Sequence, residues 1–228
     1  MSTLKVLSAL LTYPEAELQA ALPEIGAVLA VDRRLPAPQR NALAGLVAMM
    51  EGSTLMDLQE RYVALFDRSP SLSLHLFEHV HGVSRDRGMA MVRLVEMYKA
   101  HGLAIEAREL PDYLPLFLEF LSLLPEAEAR SLLAEAGVVL AGIGQRLTRR
   151  ASPYAAIFEA LCALGGSEAP LAKEEAPETG EDLAALDKAW EEAAVTFGPT
   201  AQAENRSGCD RVAAMVQRMN APKQGVPS

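Results

Sequence analysis

Apolar residues recur three and four positions apart along most of residues 5–164, a spacing that a helix gathers onto one face. Leu18, Leu22, Ile25 and Leu29 repeat at four, three and four, and Val6, Leu7, Leu10 and Leu11 form a shorter stripe before them. Ser2 or Thr3 stands where it can cap a first helix over Lys5–Leu11. Pro14 separates it from a second, Pro14–Val31, with Pro23 as a point of adjustment. Pro36 and Pro38 interrupt the pattern, which resumes over Asn41–Met50 and stops at Gly52. A fourth helix, capped by Ser53, carries Leu55, Leu58, Tyr62, Leu65 and Phe66. After a Ser/Pro/His-rich loop with one short helix, the spacing predicts helices over Arg87–His101, Tyr113–Leu124, Pro125–Ala136, Val138–Arg150 and Pro153–Leu164. Tyr113–Leu124 is apolar almost all round, so it belongs at the centre. Ala and Leu far outnumber Ile and Thr, and no two strand-like runs are joined by a two-residue turn. The expected class is all-α, one compact helical domain of about eight to ten helices.

Of the 228 residues 50% are apolar and 22% charged, which excludes a mainly disordered chain. Lys and Arg number 21 against 30 Asp and Glu, a formal charge of −9. Such a surface repels a phosphate backbone and draws in basic peptides, so nucleic acid is not an expected partner. Cys162 sits in a helical pattern and Cys209 has no disulfide framework around it, which fits reduced thiols. Pro14, Glu15 and Glu17 cut short the opening apolar run, and no window approaches the roughly 18 to 20 apolar residues of a membrane span. A soluble cytoplasmic protein is therefore expected, without membrane insertion. Periodicity fades from Gly165, where Gly, Pro and acid mix as in linkers. The expected division is a helical core over 1–165 and an acidic linker with a C-terminal helical extension over 166–228. Within that extension Leu183, Leu186 and Trp190 suggest one helix and Val212, Met215, Val216 and Met219 another, and these could dock back onto the core.

His75-Leu76-Phe77-Glu78-His79 satisfies H-x-x-E-H, and His81 follows. On a helix, His75 and His79 would share a face and could hold zinc with Glu78 as base; a third ligand would be needed, and Glu159 is only a formal candidate. Histidines that hydrogen-bond neighbours or a peptide partner are the simpler reading. Arg85-Asp86-Arg87 reads either as an anion-binding helix start or as a cap with arginines paired to acids. Glu109 and Asp112, flanking Pro111, read in isolation as cap and first-turn anion. Met89, Met91 and Met97 fit a core stripe, or a surface that accepts a variable apolar helix. No phosphate-cradling or nucleophile-elbow motif occurs, so no catalytic residue and no cofactor is implied.

Several motifs occur in order: Tyr62-Val63-Ala64-Leu65-Phe66-Asp67, Ser73-Leu74-His75-Leu76-Phe77-Glu78-His79-Val80-His81-Gly82, Ser84-Arg85-Asp86-Arg87-Gly88 and Glu109-Leu110-Pro111-Asp112-Tyr113-Leu114-Pro115. Together they resemble the respiratory nitrate reductase delta-subunit family of NarJ-type assembly chaperones. That family lies within the all-helical redox-enzyme maturation chaperones that include TorD and DmsD. The wider group's E-x-P-D-H signature stands here as Glu109-Leu110-Pro111-Asp112-Tyr113, with Tyr in place of His.

The resemblance implies a chaperone that is not an enzyme and not a subunit of the finished complex. It implies binding of the N-terminal leader of the apo nitrate reductase catalytic (alpha) subunit in the cytoplasm, in support of molybdenum cofactor insertion and complex assembly. On this reading Tyr62, Phe66, His75, Phe77, His79 and Tyr113 line or border a peptide-binding groove. Asp67, Glu78, Glu109 and Asp112 would offer partners to Lys or Arg of the leader, while Arg85 and Arg87 brace the intervening loop. The expected state is a monomer or weak homodimer. A general helical peptide-binding scaffold, or a zinc hydrolase through His75 and His79, remain the alternatives.

Overall fold

The stripes close onto one shared core in the computed structural model, which describes residues 3–81, 85–103 and 109–166, apart from the side chains of His81 and Arg85. Among these residues the chain forms α1 (Thr3–Leu10), α2 (Ala16–Val31), α3 (Ala37–Glu51), α4 (Leu55–Tyr62), α5 (Glu78–His81) and α6 (Arg85–Ala100). Then come α7 (Leu114–Leu123), α8 (Glu126–Glu135), α9 (Gly137–Arg149) and α10 (Ala155–Gly165). No strand is present among the described residues; the nearest thing is a single antiparallel bridge between His75 and Tyr113. No described helix is long and apolar enough to cross a membrane.

Two helices that are apolar over most of their surface hold the centre. On α7 the side chains of Leu114, Phe117, Leu118, Phe120 and Leu121 are buried, and it packs on α1. Ser8 of α1 donates to the Pro115 carbonyl at 2.6 Å, in a contact that ties the two helices across most of the chain. Ala156, Ile157, Phe158, Ala160 and Leu161 are buried on α10, which packs against α3, α8 and α9. Each large side chain so buried contributes about 1.5 to 3 kcal/mol of transfer free energy. α2 and α3 pack against each other, joined by the short turn between Asp32 and Pro36. Thr3 donates its hydroxyl to Asp32, and Arg34 grips the same carboxylate at 2.6 Å, so this turn is fastened to the start of α1.

Several boundaries fall away from the expected places, each for a local reason. Thr3 is inside α1 and its hydroxyl serves the α2–α3 turn instead of a cap. α2 starts at Ala16, beyond Pro14, and continues unbroken through Pro23. α3 starts at Ala37, because Pro38 in the first turn lacks only an N–H that would have no partner there. Thr54, not Ser53, caps α4: its hydroxyl accepts the Asp57 N–H and the Asp57 carboxylate returns to Thr54, while Ser53 donates to the Met49 carbonyl. α4 does not run on as an α-helix to Phe66. It widens into a π-helical turn over Val63–Asp67, followed by a short 3-10 turn over Pro70–Leu72.

Candidate functional site

The predicted residues converge where the loop between the 3-10 turn and α5 crosses the segment that enters α7. Backbone bonds lock the crossing from both sides: the Leu76 N–H donates to the Asp112 carbonyl at 3.0 Å, and the Leu114 N–H to the Leu74 carbonyl at 2.8 Å. Because Pro111 has no N–H to offer and Leu110 accepts from Tyr113 at 3.0 Å, the chain turns tightly here.

Asp112 sits inside that turn with 0% exposure. Its Oδ2 accepts the Phe77 N–H at 3.1 Å, and Oδ1 lies 3.3 Å from His75 Nδ1. Arg87 Nη2 stands 3.8 Å from Oδ2 and 3.1 Å from Glu78 Oε1. The reading of Asp112 as a helix cap is thus corrected: the residue at the α7 N-cap is Tyr113, without a side-chain cap bond, and Asp112 reaches across to another segment instead. A buried carboxylate needs such partners, since desolvation without them costs several kcal/mol. The hydrogen bond to Asp112 holds the His75 imidazole above its ordinary value, against the opposing effect of burial.

The same crossing joins two tyrosines. Tyr62 donates to the Leu11 carbonyl at 3.1 Å, and its oxygen is 3.1 Å from the Tyr113 hydroxyl. With Tyr62's one proton committed to Leu11, Tyr113 is the donor between them, and its remaining lone pairs are left as acceptors. Burial raises both phenols above their ordinary value, so they stay neutral. The Tyr113 ring lies 5.5 Å from His75, and Tyr62 lies between Tyr13, edge to face at 5.6 Å, and the tilted ring of Phe66 at 5.1 Å.

Tyr62, Phe66 and Phe77 are core residues, 4%, 6% and 4% exposed, and so lie beneath the surface. His75, Glu78, His79, Arg87 and Tyr113 are half-buried, while Asp67 and Glu109 are exposed. Both of those carboxylates act on the Tyr113 hydroxyl through their charge. The Arg85 and His81 side chains lie outside the description.

His75 and His79 do not share a helical face, because α5 starts only at Glu78. His75 is turned to Asp112, and His79 donates from Nε2 to the Ser73 carbonyl at 2.8 Å. Among the described residues no group of three His, Cys, Asp or Glu side chains is placed to hold a metal ion. Of the methionine stripe, Met97 is buried, Met91 half-buried and Met89 58% exposed. Sequence reasoning passed over Tyr98, which is 1% exposed and donates to the Pro111 carbonyl at 2.9 Å, propping the turn from beneath. In the sequence it is one more apolar position of the helix predicted over Arg87–His101, and nothing local marks its hydroxyl as special.

Residues 32–160 match the family described as the nitrate reductase delta subunit. Over 201 residues the chain is 41% identical to the nitrate reductase molybdenum cofactor assembly chaperone NarJ of Escherichia coli (strain K12), covering 86% of this chain and 85% of that one. It is 39% identical to the probable nitrate reductase molybdenum cofactor assembly chaperone NarW of the same strain, over 92% and 88% of the two chains. A probable nitrate reductase molybdenum cofactor assembly chaperone NarJ of Bacillus subtilis (strain 168) is 30% identical over 71% and 86%.

Proposed function

The chain belongs to the nitrate reductase delta subunit family, and we propose that it works as the molybdenum cofactor assembly chaperone of a nitrate reductase. It is a chaperone and not an enzyme: it holds a client and makes no bond. The observation that carries this is the 41% identity extending over 86% of the chain, and so through the whole crossing built on Asp112. The client is the catalytic subunit before its cofactor is in place, bound in the cytoplasm through a basic, amphipathic N-terminal segment.

The receiving surface is the outer side of the crossing. Tyr113, His75 and His79 present half-exposed rings, and Asp67, Glu78 and Glu109 supply the carboxylates. The outward lone pairs of Tyr113 accept from a Lys or Arg of the leader, while Tyr62, Phe66 and Phe77 hold the floor from below. Asp112 acts through its neighbours, setting the positions of His75, Phe77 and Arg87, and does not itself meet the client. This division is supported by burial, since a carboxylate with no exposure cannot reach a peptide without opening the fold.

Calorimetric titration of a synthetic leader peptide into wild type and an Asp67→Asn/Glu109→Gln variant tests the surface. Removing two exposed charges weakens binding roughly two- to tenfold at low salt. Equal affinities, with helicity intact, would remove this rim from the site.

A further inference from the structure

A second concavity lies away from the crossing, between α1, α7, α8 and α10. It encloses about 440 Å³, and its walls carry Leu4, Leu124, Leu133 and Leu164. A volume of that order suits a few large side chains, not the face of a folded partner. Three charged residues line it, and two are already answered: Arg34 is bonded to Asp32, and Glu126 sits in the first turn of α8, where the helix dipole favours an anion. Arg130 is exposed and forms no hydrogen bond or ion pair among the described residues. Its guanidinium lies against Gly166, so close that a Cβ there would be 2.5 Å from Nη2. This unanswered cation therefore marks the point where the chain leaves α10, whose Ala163 and Leu164 are themselves part of the wall.

What leaves at that point is complementary. Residues 167–192 carry nine acids against two lysines, and within them Leu183, Leu186 and Trp190 fall at positions that one helix face brings together. Glu181, Asp182, Asp187, Glu191 and Glu192 flank that stripe. We propose that residues 181–192 of this chain seat in the cleft, with Trp190 and the two leucines on its apolar wall and their acids toward Arg130. The stretch from Gly166 to Leu183 spans up to about 55 Å when extended, ample for a seat that begins at its own tether. A tether of this length holds the segment at an effective concentration near 1 mM, so an intrinsic affinity of about 0.1 mM keeps it docked roughly nine-tenths of the time. A basic client leader is disfavoured here by Arg130, whereas it suits the carboxylate rim at the crossing. The two sites thus sort an acidic and a basic segment, and the cleft assignment does not depend on the client surface.

Trp190 is the sole tryptophan, which makes its fluorescence a direct report. In the intact chain, acrylamide should quench it up to about tenfold less than in a synthetic peptide of residues 178–195, with a blue-shifted emission, since nine-tenths occupancy leaves about a tenth of the segment free. Arg130→Glu with Leu164→Asn should restore peptide-like quenching while the helical circular dichroism signal is unchanged. Leu4→Asn with Leu124→Asn is the second variant, should the first lose helicity. Peptide-like quenching in wild type would overturn the assignment, and so would shielding that neither variant changes. Shielding lost on dilution as a dimer dissociates would assign the seat to a second copy's tail, and shielding that arises only on adding leader peptide would assign it to the client; either overturns the proposal.

Discussion

Asp112 is the polar residue on which the crossing is built. It is fully buried, and it is the acceptor for the Phe77 N–H and the partner of His75 and Arg87. Asp112→Ala takes away the acceptor of the buried Phe77 N–H and the carboxylate partner of His75, while Arg87 keeps Glu78, and a loss of about 2 to 4 kcal/mol in urea unfolding is expected. Asp112→Asn keeps one acceptor oxygen and should cost less. His75 adds a dependence on pH. Its folded value is raised by the Asp112 hydrogen bond, so protonation favours the folded state. That stabilisation is complete below the ordinary histidine value of about 6.5 and is lost as pH climbs through the raised folded value. The urea midpoint of wild type relative to His75→Gln should therefore fall as pH rises from about 6 to 8. A difference that does not change with pH would rule out the His75–Asp112 bond as a contributor. The Glu109-Leu110-Pro111-Asp112-Tyr113 segment was legible as special, but not what Asp112 does. A carboxylate beside Pro reads locally as a cap, whereas its partner at Phe77 is 35 positions away and leaves no trace in local spacing.

At the scale of elements, existence was written in the three-and-four spacing, but termini and pairings were not. The widened turn over Val63–Asp67 arises where Phe66 must lie between Tyr62 and Tyr154, whose rings stand 5.1 and 5.3 Å away. An unbroken α-helix was expected there because Leu65 and Phe66 continue the stripe, and only tertiary contacts decide against it. Helix pairing is likewise fixed by close approach. At Gly144 on α9 a Cβ would come within 3.0 Å of Phe158 Cβ on α10, so Gly144→Val should force the two apart at a cost of about 1 to 3 kcal/mol. Gly45 on α3 is the contrasting case, with open space where a Cβ would go. Gly45→Ala should raise stability by about 0.5 to 1 kcal/mol through helix propensity and a less free unfolded chain. Thermal melts of the two variants test this directly: equal shifts of one sign would mean that α9 and α10 do not touch at Gly144.

For the molecule as a whole the deciding quantity is charge distribution. On the proposed reading, a formal charge of −9 draws a basic leader toward the chain, and the carboxylates around Tyr113 are where it stops. Long-range attraction and local pairing respond differently to salt. At about 0.1 M the screening length is near 10 Å and the chain as a whole still steers; at about 1 M it is near 3 Å and only direct contacts remain. Association rates for the leader should therefore fall steeply between these conditions, while dissociation rates change less. The Asp67→Asn/Glu109→Gln variant should associate more slowly than wild type at low salt, and the gap should narrow as salt is added. Stopped-flow measurements on both proteins across that range separate the contributions. If salt instead acted mainly on dissociation, the exposed carboxylates would be clamping the bound leader in place and the rings would be secondary. If salt had no effect, recognition would be apolar, and the search for its seat would move from the crossing to a face whose charge does not matter.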